Sequence, residues 1–123
     1  MLKTSFSNSG VKERDTMRYL VSGSEGPGFG SPREAIEVLE KGFLPTFDTL
    51  MKLEAEKKIV AGGLPVGDRS FVFIAEATSN DELDRILRSI PAWGVLNWKV
   101  TPLQTFAGRA TQERDEVKKL KAH

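Results

Sequence analysis

The chain contains no cysteine. That absence excludes disulfides, thiolate nucleophiles and cysteine-ligated metals. Histidine is nearly as scarce, since the only one is His123, the last residue of the sequence. A Ser-His-Asp triad or a histidine metal centre has nothing to be built from, so no metal site is expected. No run of about 18 apolar residues occurs, and no membrane span is expected. The opening MLKTSFSNSGVKERDT carries no apolar core of a signal peptide. The expected compartment is therefore the cytoplasm.

A positive excess is also missing from the body of the chain. Residues 1–16 are net +1 and residues 109–123 are net +2, which leaves about −2 for the segment between them. A nucleic-acid binder concentrates basic charge on its folded part. Here the basic residues sit at the ends, so no nucleic-acid partner is expected.

At 123 residues the length suits one domain. Three segments are expected: a disordered extension over 1–16, a folded body over 17–107, and a charged tail over 108–123 with a short helix after Thr111. The centre of the body is IVAGGLPVGDRSFVFIAEA, Ile59 to Ala77. Two apolar runs joined by a Gly/Pro-rich turn predict a β-hairpin. Before it, MRYLVSG from Met17 alternates as a strand does.

Gly23 to Pro32 is rich in glycine, with glycines at 23, 26, 28 and 30. It lacks the Gly-Lys-Ser/Thr of a phosphate loop and the G-x-G-x-x-G spacing, so a flexible loop or lid is expected rather than a phosphate cradle. Ser31-Pro32-Arg33-Glu34 is a helix start with its own capping box. Ile36, Leu39, Phe43, Phe47 and Leu50 follow at helical spacing. Pro45 removes a backbone donor. The segment therefore reads as one helix kinked near Pro45 and ending near Lys58, or as two helices meeting at 42–45.

After the hairpin, Ser79 and Glu82 form a second capping box, with Leu83, Ile86, Leu87 and Ile90 as the buried stripe. Pro91 ends that helix. VLNWKVTPL from Val95 is the last strand. The order is β-α-β-β-α-β, which predicts an α+β fold: the ferredoxin-like plait, a four-stranded antiparallel sheet with two helices on one face.

Alternation sorts the strand residues by side. Tyr19, Val21, Phe71, Phe73, Ala75, Leu96, Trp98 and Val100 face the helices. Arg18, Leu20, Ser22, Val72, Ile74, Glu76, Asn97, Lys99 and Thr101 face the other way. A bare face holding Leu20, Val72 and Ile74 is an apolar patch that asks for cover. Packing against the same face of a second copy supplies it, so a homodimer closed into an α+β barrel is expected.

Acid–base chemistry without histidine falls to carboxylates, lysines or Tyr19. Glu76 is the candidate catalytic group, at the end of a buried strand and on the cleft side. Arg18, Ser22, Lys99 and Trp93 are the candidate substrate-binding residues. The competing reading of Glu76 is a strand-end glutamate held in an ion pair. Asp68 and Arg69 read as turn chemistry.

With these residues set out, the chain resembles the muconolactone isomerase-like group of dimeric α+β barrels. The resemblance runs from about Met17 to Phe106. It rests on the Leu-Glu-Ala-Glu-x-x-Ile helix exit at Leu53 to Ile59, Gly62-Gly63 in the hairpin, and Asp81-Glu82-Leu83 opening the second helix. Ile-Pro-x-Trp at Ile90 to Trp93 and Val-Thr-Pro-Leu ending at Leu103 complete it. What the resemblance implies is a homo-oligomer that uses no cofactor and moves a proton within an unsaturated lactone acid. A non-catalytic homo-oligomer, structural or binding a small ligand, is the other expectation.

Overall fold

The structure, a computed structural model, describes residues 16–25 and 30–123. The expected disordered extension and the centre of the glycine-rich loop lie outside the described residues, apart from Thr16. The first strand, β1, spans Met17–Glu25. A helical segment follows in three pieces: α1 (Pro32–Val38), a π-helical turn (Leu39–Phe43) and α2 (Leu44–Ala55). Next come β2 (Ile59–Gly63), β3 (Phe71–Ala77) and α3 (Asn80–Arg88). A 3₁₀ turn (Trp93–Val95), β4 (Leu96–Leu103) and α4 (Phe106–Lys121) complete the chain.

The four strands form one antiparallel sheet in the order β2-β3-β1-β4. With α2 and α3 on one side of it, this is the ferredoxin-like plait. The core lies between sheet and helices, where Tyr19, Val21, Phe73 and Ala75 meet Leu53, Leu83, Ile86 and Leu87. A second cluster joins Phe43 and Phe71 to Ala92 and Leu96. Burial along β3 alternates strictly, with Phe71, Phe73, Ala75 and Ala77 inward.

The segment around Pro45 is a single path rather than two separate helices. Pro45 cannot donate to the carbonyl of Lys41. The preceding turn widens instead, and Leu44 N–H reaches the carbonyl of Leu39 as π-helical bonding requires. The widened turn shifts the phase of the apolar stripe. Ile36 is consequently exposed, and the buried positions are Phe43, Thr46 and Leu53. Thr46 is completely buried and latches two elements. Its hydroxyl donates to the Gly42 carbonyl at 2.8 Å and accepts the Ala92 N–H at 3.0 Å.

The helix ends at Ala55, before Lys58. Lys57 takes a left-handed backbone with φ 65°, and Lys58 N–H bonds the Leu53 carbonyl at 3.0 Å. This is the Schellman type of helix end, and glycine is its usual residue. Gly23 to Glu25, expected in the loop, are the last residues of β1. Gly23 pairs with Trp98 in register. A Cβ there would come within 2.9 Å of the indole, so the missing side chain makes room for that ring.

Both expected helix starts form. Ser31 accepts from Glu34 N–H at 3.2 Å and Ser79 from Glu82 N–H at 3.0 Å. The glutamates reach one residue further back than the usual box, to Gly30 N–H at 3.3 Å and Thr78 N–H at 2.6 Å. The Thr78 backbone bond holds the Glu82 carboxyl below its ordinary value. A carboxyl depressed in the native state binds its proton first in the unfolded chain. Its stabilisation is complete above the ordinary carboxylate range and is lost as pH falls through the native value. Glu82→Gln is therefore expected to be slightly less stable than wild type at pH 7. The gap should close as pH falls through the lowered native value, which urea melts at a series of pH values will read.

Candidate functional site on the open sheet face

Strand pairing builds the uncovered face row by row. Arg18 lies between Glu76 and Leu103, Leu20 between Ile74 and Thr101, and Ser22 between Val72 and Lys99. The face therefore runs from an ion pair at one end, across an aliphatic middle, to a lysine at the other.

The ion pair is tight. Arg18 Nε donates to Glu76 Oε2 at 2.7 Å, with 58% of the arginine side chain exposed and only 25% of the glutamate. The backbone holds Glu76 in place: its N–H bonds the Lys58 carbonyl at 2.9 Å. The glutamate is a fixed, mostly shielded carboxylate, and the arginine is a longer and freer arm. An arginine fork binds carboxylates two bonds at a time, so Arg18 is suited to an acidic ligand as well as to its neighbour.

The expected site residues do not all converge. Arg18 and Glu76 are brought together. Ser22 and Lys99 share a row, but that row is four residues along the strand, about 14 Å away. Within one chain Lys99 does not reach a group seated at Glu76. Trp93 is not on this face. It packs against the helix-side core, under the Arg88 guanidinium at 4.5 Å. Its carbonyl accepts Trp98 Nε1–H at 3.0 Å. The turn that carries Trp93 links α3 to β4 and so belongs to the helix layer. The inward ring of Trp98 anchors it there.

Residues missing from the sequence reading complete the face. Leu103 continues the alternation of Asn97, Lys99 and Thr101 and sits directly beside Arg18. Its parity in the strand was the available signal. Ala61 and Gly63 join from β2, opposite Ile74 and Val72. A register irregularity between Ile59 and Ala61 hides them from simple alternation. Among the described residues no group of three or more His, Asp or Glu is arranged to hold a metal ion. No described helix is long and apolar enough to cross a membrane.

A plait with helices on one side, and an aliphatic face bearing one shielded carboxylate on the other, defines a ferredoxin-like α+β protein with one sheet face left open. Residues 46–108, just over half of the chain, match the muconolactone delta-isomerase family, and the chain belongs to that family. The matched segment holds Glu76, Trp93 and Lys99, while Arg18 and Ser22 precede it. No match emerges among curated proteins.

Proposed function

We propose that this protein is an isomerase that moves a proton within a small lactone or carboxylated substrate, with Glu76 as the acid–base group and no cofactor. The observation that carries the reading is the Arg18–Glu76 pair, 2.7 Å apart on the open face, in a chain of the muconolactone delta-isomerase family. An anionic substrate exchanges into the pair. Arg18 swings to the substrate carboxylate and leaves Glu76 without its partner. The freed carboxylate takes a proton from the carbon next to the unsaturated system, the double bond shifts, and the same proton returns to the far carbon. Atoms and charge balance within one molecule, so one positioned base and one anion clamp suffice.

A second copy covers the open face. Leu20 and Leu103 are each about two-fifths exposed in the single chain, and sheet-to-sheet pairing buries them together with Val72 and Ile74. Pairing also removes water from Glu76, which strengthens its electrostatics. The expected homodimer is read by light scattering as twice the chain mass.

Glu76→Gln is expected to lower turnover of a muconolactone-type lactone acid by about 10²–10⁴-fold with the fold intact by circular dichroism. Arg18→Gln is expected chiefly to raise KM. Full turnover in Glu76→Gln removes the proposed role. One observation favours the second reading, a non-catalytic oligomer: Arg18 and Glu76 are directly opposed partners in the ladder, where opposite charges pair for stability alone. Under that reading neither variant changes any turnover, and both lose a little stability.

A further inference from the structure

Helix α4 is the longest described element with no buried residue. None of its 16 residues is buried, and all but the half-buried Ala110 are exposed. Its apolar residues nevertheless form a stripe. Phe106, Ala110, Val117 and Leu120 fall at spacings of three and four around Glu113, and Phe106 is 98% exposed. A helix of this length is marginal in water by itself, so the stripe needs a surface to cover it.

The helix leaves the body in a fixed direction. Gln104 donates to Gln112 at 2.8 Å, and Arg109 donates to Gln104 at 2.8 Å. Thr105 caps the first turn by accepting Gly108 N–H at 2.9 Å. These bonds tie α4 to the end of β4, which is the sheet edge opposite β2.

At the β2 edge, on the helix side, lies an apolar groove of about 170 Å³ between α2 and the hairpin. Phe47, Leu50, Met51 and Leu64 line it, with Glu54 as its carboxylate. The volume falls below the roughly 300–1,000 Å³ of small-molecule pockets. It suits one or two protruding side chains. Charge agrees with that: α4 carries five basic and three acidic residues, net +2. The helical segment that walls the groove, Pro32 to Ala55, carries three basic and five acidic residues, net −2. Lys118 and Lys121 flank Leu120 in the sequence and carry the charge opposite to that of Glu54.

We infer that α4 of one copy docks in the α2–hairpin groove of a second copy, with Leu120 seated beside Met51. This contact is separate from the open sheet face and does not rest on the isomerase reading. A reciprocal exchange closes as a two-fold pair, whereas a one-way exchange would propagate into larger species.

The absence of cysteine makes a direct test available. Leu120 and Met51 are both more than half exposed, so Leu120→Cys and Met51→Cys are expected to fold as wild type. Mixed and mildly oxidised, the two full-length variants should give the 120–51 disulfide heterodimer as the main product. Its yield should be several-fold above that from Leu120→Cys mixed with Val66→Cys, a fully exposed control. Glu54→Lys should reduce the yield, and adding Lys118→Glu and Lys121→Glu to the other chain should restore it. Control-level yield, disulfides only between Leu120→Cys chains, or an intrachain bond in the double variant would each overturn the inference.

Discussion

Phe71→Ala is expected to destabilise the protein by about 3–5 kcal/mol, read as the shift in urea midpoint at constant slope. Phe71 is 2% exposed and is the inner residue on which the Pro45 helical segment rests. Its ring stacks on Phe43 at 5.9 Å and meets Phe47 edge-on at 5.5 Å. Both partners come from the π turn and α2, so one truncation loosens the whole helical segment from β3. The void cannot collapse easily. Its other walls are Ala92 and Leu96, and Ala92 is fixed by its N–H bond to Thr46. A loss under about 1 kcal/mol would mean that the cavity closes and the aromatic trio contributes little.

The second large effect separates two adjacent glycines. A Cβ on Gly62 would lie 2.5 Å from Phe73 Cβ, 2.7 Å from the Val72 carbonyl oxygen and 2.8 Å from Phe73 Cα. Backbone atoms cannot give way as a side-chain tip can, so Gly62→Ala must push β2 off β3. A cost of about 3 kcal/mol is expected. A Cβ on Gly63 meets nothing within 4 Å, and Gly63→Ala is expected to be neutral or stabilising by up to about 1 kcal/mol. Parallel urea melts of the two variants check the contrast. Equal effects would show that glycine is needed in this stretch for some reason other than the close approach of β3.

That contrast marks where sequence reasoning stops. A glycine in a strand leaves room for another group to approach the backbone, yet nothing in Gly62-Gly63 says which glycine is approached or by what. The answer is the chain's own Phe73 at one position and open space at the other. The same limit applies to Ile36, which belongs to the apolar stripe by spacing but lies exposed. Pro45 is visible in the sequence; its remedy, a π turn that rotates the stripe before it, is a property of the backbone path.

The candidate site divides in the same way. Alternation alone put Arg18 and Glu76 on one face, because side chains of a strand change sides at every residue. Alternation carries no information about register. Only the pairing of β1 with β3 sets Arg18 opposite Glu76, and only the pairing with β4 moves Lys99 two rows away. Trp93 was beyond such reasoning altogether, since its turn lies outside any strand and its side was decided by Trp98 and Arg88.

The sequence by itself determined the order of elements, both capped helix starts, the buried stripe of α3 and the two-sided hairpin. Each of these is a local pattern in which neighbouring residues carry the whole signal. Tertiary structure decided the rest: which charges meet, which glycine is indispensable, and that α4 stands clear of its own body with an apolar stripe uncovered. Those outcomes depend on distances between residues far apart in the chain, and no local pattern encodes them.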